Sequence, residues 1–354
     1  MADVRPFRAV RYARPSPSQT APPYDVIGDD ALAELRARDP HNVVHLTLES
    51  DERLAGHRYR EWLDDGVLVR DDEPAVWALE QSYVGPDGVE RRRAGIVASL
   101  RVEPYATGTV LPHERTHAGP KEGRFRLLQE TRAQLEPIFL LYDGTPLALP
   151  ETAPDLEVDD TRLWRVPDAD GVAATFAGSQ LLIADGHHRY ETAVEFAAPD
   201  GADRRMVVLV STSDPGLEIF PTHRVFTGRP DIDLAAEEYP TVEEAHAALA
   251  EEPYARSAAI LVRPESIRLV HGAPGELDVE LVDRLGHEGI AYTPDRVEAV
   301  RRVESGDADC ALLLRATRIE DVFERARSGE VMPQKTTYFF PKLVSGLLIH
   351  PVDP

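Results

Sequence analysis

The chain has 354 residues, 42% hydrophobic and 29% charged, enough for one large or two medium globular cores. Its 39 basic against 62 acidic residues give a net charge of −23, a surface that repels a phosphate backbone and argues against nucleic-acid partners, although a local basic pocket could still take a small anion. No run of 18 apolar residues and no apolar leader occur, so neither a membrane span nor a signal peptide is expected, and the expected location is the cytoplasm.

The N-terminal part, residues 1–104, opens with the proline-led turn APPYDVI, in which Tyr24 and Asp25 either stiffen the chain or close over a site. DDALAELRARDP then reads as a helix, NVVHLTL as a strand, and HRYREWLDDGVLV as a helix running into a turn. On a strand, His41 and His45 would share a face about 13 Å apart, too far to ligate one ion. VWALEQSYVGPDGVERRRAGIVASLRV reads as a hairpin turning at P-D-G.

Residues 105–354 form the second expected part, which carries the polar segments HERTH, DGHHR, PTHR and QKTTYFFPK. FRLLQETRAQL predicts a helix, EPIFLLYDG a strand, SQLLIADGHHRYETAVEFAAPDG a strand, turn and helix, and RRMVVLVSTSDPG a buried strand. Helices (TVEEAHAALAEE, DVELVDRLGHEG, IEDVFERARSG) then alternate with strands (AAILVR, SIRLV, CALLLR). Cys310, the only cysteine, lies in CALLL and reads as a buried small hydrophobe. The pattern predicts a mixed α/β (α+β) fold, mixed sheets with flanking helices.

HERTH, residues 113–117, has the H-E-x-x-H spacing of helical zinc hydrolases. That chemistry needs a helix to put His113 and His117 on one face. Pro112 before the motif and Ala118-Gly119-Pro120 after it leave almost no helix to build on. The preferred reading is an irregular polar loop presenting His113 and Glu114 into a cleft.

The sharpest signal is the strand–turn–helix QLLIADGHHRYETA. Asp185-Gly186 makes the turn, and His187, His188 and Arg189 fall in the first turn of the helix, where backbone N–H groups favour an anion. A helix cap needs neither adjacent histidines nor an arginine. Adjacent residues on a helix diverge by about 100°, so His187 and His188 do not chelate one ion together.

Over nearly its full length the chain resembles the family catalogued as domain of unknown function 1015, on APPYDVI, NVVHLTL, PHERT, ADGHHRYETA, PTHRVF and MPQKTTYFFPKL in that order. Locally, a strand, then D-G-H-x-R, then a helix resembles the phosphate-binding element of the ParB/sulfiredoxin superfamily, which includes sulfiredoxins, CTP-binding partition proteins and free-serine kinases. This resemblance implies a nucleotide-dependent phosphotransferase, a small-molecule kinase using ATP or ADP with Mg²⁺ on a hydroxyl-bearing metabolite such as free serine. It maps Asp185, His188 and Arg189 onto the phosphate-binding segment and Glu114 onto the upstream base, although 71 residues separate Glu114 from Asp185. Gly186, His187 and Arg189 would cradle the nucleotide, Asp185 would hold Mg²⁺ or orient the acceptor, and His113 would assist the base. Lys121 and Arg124 would either contact phosphate or sit on a solvated face, and Arg224 (with His223) and Lys335 are secondary phosphate candidates. Two other readings stay open: a nucleotide-binding regulatory protein without catalysis, and a metal-dependent hydrolase using His113, His117 and His187/His188.

Overall fold

Side chains in Arg204–Ser211 alternate between two buried surfaces, Val207 and Leu209 on one face and Met206, Val208 and Val210 on the other. A strand buried on both faces belongs inside a covered sheet. In the computed structural model, residues 1–114, 118–200, 202–228, 230, 234–286 and 288–352 are described, without the side chains at 118–121 and 198–200.

The covered sheet has nine strands: Val4–Arg5 (β1), Trp77–Val84 (β2), Glu90–Arg101 (β3), Val110–Leu111 (β4), Ile138–Tyr142 (β5), Leu156–Val158 (β6), Thr161–Arg165 (β7), Leu181–Asp185 (β8) and Arg204–Ser211 (β9). Their order is β4-β8-β5-β9-β3-β2-β7-β6, with β1 beside β3. The β4/β8 and β5/β9 pairs are parallel and the others antiparallel. The expected division at 104/105 falls inside this sheet, because β2 and β3 precede it while β9, on which β3 pairs, follows it.

The helices are Asp29–Arg38 (α1), Val44–Thr47 (α2), Glu52–Asp64 (α3), Ala118–Thr131 (α4), Ala169–Thr175 (α5), His187–Asp200 (α6), Val242–Glu251 (α7), Asp278–Asp283 (α8), Arg296–Glu304 (α9) and Ile319–Ser328 (α10). No helix among the described residues is long and apolar enough to cross a membrane. On one face of the nine-stranded sheet, Tyr190 and Ala193 of α6 pack against Ile183, Leu140 and Val207. On the other, Phe339, Leu343, Leu347 and Leu348 of the C-terminal segment cover Phe139, Leu182, Ala184 and Val208. The chain's end therefore returns to the strand that carries Asp185.

Further strands are Glu218–Phe220 (β10), His223–Phe226 (β11), Ala236–Tyr239 (β12), Arg256–Arg263 (β13), Ser266–Pro274 (β14), Ile290–Thr293 (β15), Cys310–Leu313 (β16) and Tyr338–Phe340 (β17). Six of them form an antiparallel sheet, order β12-β14-β13-β16-β11-β15, with α7 and α9 on one face and α8 on the other. β10 pairs with β17. Cys310 is fully buried in the six-stranded sheet, as its setting predicts.

The mixed α/β expectation holds, as do the hairpin β2–β3 and the strand–turn–helix at Asp185. NVVHLTL, expected as a strand, is instead the short helix α2. Asn42 decides this: its Oδ1 accepts from Val44 N at 3.0 Å while its Nδ2 donates to Ser18 O and Thr20 O at 2.7 and 3.0 Å. His41 and His45 thus lie on no common strand face; His41 packs edge-on to Trp62 at 5.4 Å, and His45 Nε2 lies 3.3 Å from Arg36 O.

α3 and α4 touch through Gly56, where a Cβ would lie 2.4 Å from the backbone oxygen of Glu130. Replacing a helical glycine by alanine ordinarily stabilises by about 0.5–1 kcal/mol. Here Gly56→Ala is expected to destabilise by about 1–3 kcal/mol through overpacking, read as a lower urea midpoint at unchanged m. A stabilised variant would show that the helices separate easily.

Candidate active site

The register of two parallel strands creates the site. Leu111 of β4 pairs with Leu182 of β8, and three residues further on each strand stand Glu114 and Asp185. Parallel strands leave a sheet at the same edge, so the 71-residue separation of the two carboxylates is the separation of the paired strands themselves. Glu114 and the DGHHR turn therefore share one cavity of about 310 Å³, within the usual range for small-molecule sites. Around it stand Glu114, Asp185, Gly186, His187, His188 and Arg189, with Tyr24, Asp25, Lys335, Tyr338 and Lys342 among the residues opposite.

Gly186 turns the chain from β8 into α6 at φ +94°, and an added Cβ would crowd the Arg189 guanidinium at 3.1 Å. Asp185 Oδ1 accepts from Lys342 Nζ at 2.5 Å and Oδ2 from Arg189 Nη2 at 2.5 Å. The three side chains are only 15%, 17% and 10% exposed, so solvent screens this triplet weakly. Burial alone would raise the Asp185 pKa, but Lys342 and Arg189 outweigh it and hold the carboxyl below its ordinary value. Arg189 also donates to Pro137 O.

Glu114 is treated differently. Its Oε1 accepts from the Lys335 backbone N–H at 3.1 Å, and no carboxylate–cation pair among the described residues holds it. Burial raises its pKa above the ordinary value, against the opposing pull of that N–H bond and of the Lys335 and Lys342 charges. Lys335 takes left-handed backbone at φ +57°, an uncommon state for a non-glycine residue, and this aims its N–H at Glu114.

His113, expected in the cleft, is fully buried beside it. Its Nδ1–H donates to Ile183 O at 2.7 Å, its Nε2 accepts from Thr337 Oγ1 at 3.0 Å, and burial pushes its pKa down to about 4. It pins the Glu114 strand to β8 and to the C-terminal segment. His187 lines the cavity; its Nε2 accepts from His113 N at 3.3 Å, and burial holds it well below its ordinary pKa, so it is neutral. Residues 113–114 are not helical, which removes the geometry of a zinc helix. His117 lies outside the described residues, and among those described no three His, Cys, Asp or Glu side chains could hold a metal ion together.

The remaining candidates divide. Lys335 lines the cavity. Arg224 stands behind it, donating to Gln334 O and Lys335 O at 3.4 and 3.2 Å and to Thr222 O, so it carries the loop that carries Glu114's partner. His223 is buried, its Nδ1 accepting from Leu314 N at 3.1 Å. Arg124 stacks on Tyr24 at 4.0 Å and donates to Thr47 O at 2.8 Å, bracing the N-terminal turn from outside the cavity. The side chain of Lys121 lies outside the described residues. Lys342 was not among the sequence candidates; its only signal was its place in the basic, aromatic segment that also supplied Lys335. Tyr24 and Asp25 face the cavity, which answers the question their proline-led turn raised.

The model of the family described as a protein of unknown function, DUF1015, matches residues 4–285, and the chain belongs to that family. Among solved structures it is similar to a conserved hypothetical protein from Pyrococcus furiosus (19% identity, 69% of this chain and 92% of that one, TM-score 0.41). It is also similar to a free serine kinase in complex with AMP (21%, 65% and 83%, 0.42) and to SbnI with a C-terminal truncation from Staphylococcus aureus (10%, 69% and 84%, 0.43). No curated protein matches. These are partial likenesses of backbone path, and the chemistry has to be argued from the side chains.

The two carboxylates should affect stability with opposite signs. A carboxyl whose folded pKa is raised contributes stability below its unfolded pKa and loses it as pH rises through the folded value. Glu114→Gln should therefore raise the melting temperature at pH 7, with the gain shrinking as pH falls toward 4.5, the group's ordinary value. Asp185, whose pKa is depressed, contributes above its unfolded pKa. Asp185→Asn should cost roughly 3–5 kcal/mol at neutral pH by stranding two buried cations, and less as pH falls. Thermal unfolding from pH 2 to 8 reads both, Glu114 above pH 4.5 and Asp185 below pH 4; equal shifts of one sign would refute the assignment.

Proposed function

We propose that this protein is a nucleotide-dependent phosphotransferase that acts on a small hydroxyl-bearing metabolite, such as free serine. One observation carries the reading: a desolvated carboxylate with no ion-pair partner among the described residues and the N-terminal turn of a 14-residue helix open onto the same small cavity. Phosphoryl transfer asks a protein for little else than a proton acceptor, an anion cradle and precise placement. The resemblance of DGHHR to a phosphate-binding element points the same way.

In this reading the first turn of α6 receives the nucleotide phosphates, since N–H groups at a helix start favour anions. His188 and Lys335, both on the cavity wall, add donors. Glu114 accepts the acceptor's hydroxyl proton as that oxygen bonds to the terminal phosphorus. The bond from that phosphorus to its bridging oxygen breaks, and ATP leaves as ADP, or ADP as AMP. A base works best with its pKa near the working pH, and burial moves Glu114 in that direction. Asp185 serves as the anchor of Lys342 and Arg189.

Asp185 does not fit the expected role of magnesium ligand. Both its oxygens are taken by cations, and the described residues offer no cluster of donors. Mg²⁺ typically keeps waters and binds through one or two carboxylates plus substrate phosphates, so here it would arrive with the nucleotide. Its contribution would be to offset phosphate charge.

Phosphorus NMR of the protein with ATP or ADP, Mg²⁺ and a pool of hydroxy-amino acids tests the proposal. A new phosphomonoester resonance is expected, with turnover falling about 10²–10⁴-fold in Glu114→Gln while calorimetry shows nucleotide binding kept. Nucleotide that binds and stays unchanged would replace this reading with a regulatory nucleotide-binding protein. Absence of binding would remove both.

A further inference from the structure

A second cavity of about 50 Å³, which shares Arg189 with the first, is lined by Arg124, Gln134, Glu136, Arg189, Thr192 and Arg205, among others. Arg205 is 1% exposed and Thr192 3%. Arg205 Nη1 donates to Ala202 O and Arg204 O, both at 2.7 Å, but its Nε and Nη2 and the Thr192 hydroxyl have no hydrogen-bond partner among the described residues. Buried donors left unpaired are costly, and an unpaired buried guanidinium more so.

Among the described residues the charges around the cavity are in positive surplus, and Arg205 alone of the cations lining it forms no ion pair. Arg189 is answered by Asp185 at 2.5 Å and Arg124 by Glu136 at 4.0 Å. Asp203, whose charge acts on Arg205, is itself engaged by Arg101 at 2.8 Å. Arg132, on the same Phe196 ring as Arg205, adds a like charge. The Phe196 face, 5.2 Å from the Arg205 guanidinium, softens this imbalance without neutralising it. Burial correspondingly pushes the Arg205 pKa down to about 10.

We propose that this cavity is a binding site for one small monovalent inorganic anion of the chloride class, held by the Nε–H and Nη2–H of Arg205 and the hydroxyl of Thr192. The positive charge of Arg205, unpaired among the described residues, sets the sign, and its one charge matches one monovalent ion. The volume sets the size: at roughly 10–15 Å³ per water it holds about three to five waters, or one monatomic ion with its remaining shell, and excludes a nucleotide. Arg205 enters from β9 and Thr192 from α6, so the bound anion ties the helix that starts at the Asp185 turn to the sheet beneath it. The site stands whether or not the phosphotransferase reading does.

Two measurements on the full chain test it. The melting temperature in sodium chloride should exceed that in sodium gluconate at equal ionic strength by about 2 °C at a chloride concentration about tenfold above its dissociation constant. Crystals grown free of chloride and soaked in bromide should show one anomalous peak beside Arg205 and Thr192. Arg205→Met should abolish the chloride-specific rise, and the milder Thr192→Val should weaken it. Equal melting temperatures in the two salts, a full chloride rise in both variants, or no bromide beside Arg205 would each overturn the proposal in favour of a cavity holding water alone.

Discussion

One carboxylate organises this molecule. Asp185 ends β8, starts the turn into α6, and is gripped at 2.5 Å by a lysine 157 residues further along the chain and by an arginine one helical turn away. A charge this poorly exposed is tolerated only when paired, and removing one partner strands the rest. The C-terminal segment must therefore return to the edge of β8, the first turn of α6 must stay wound so that Arg189 reaches back, and Gly186 must hold its left-handed turn. The cavity is what remains between these fixed parts.

Compensating Asp185 leaves Glu114 exposed to the opposite influence. Two carboxylates placed by the same strand register meet different environments, one held by two cations and the other desolvated and, among the described residues, bonded to a backbone N–H. Environments that drive neighbouring acids apart in pKa separate a structural charge from a proton acceptor. The contrast needs no metal, only one partner more or less on each carboxylate.

The six-stranded sheet stands away from the cavity, yet it acts on it. Arg224, on β11, holds the carbonyls of Gln334 and Lys335, and Lys335 in turn holds Glu114. Thr317 adds a hydrogen bond to Thr336 O at 3.0 Å in the same loop. The strained Lys335 backbone is thus clamped from the second sheet, the usual circumstance in which such strain persists. Arg224 and Arg124, which in sequence were open to phosphate contact, brace residues that line the cavity.

Local pattern was enough to read the mixed α/β class, the β2–β3 hairpin, the buried Cys310 strand and the turn at Asp185-Gly186, because alternation, glycine turns and helical periodicity are properties of neighbouring residues. It also singled out Glu114 and Asp185, since a loop that dense in polar groups between apolar strands is hard to explain by packing. It misread NVVHLTL, where β-branched residues favour a strand but Asn42 bonds backbone on three sides and winds the turn. It divided the chain at residue 104, across a sheet whose pairing joins β3 to a strand a hundred residues later. Whether Glu114 and Asp185 meet, that Lys342 rather than solvent answers Asp185, and that His113 turns inward were decided by tertiary structure alone. Each depends on strand register or on a segment returning from the far end of the chain, and such long-range pairing leaves no periodic trace in the residues around it.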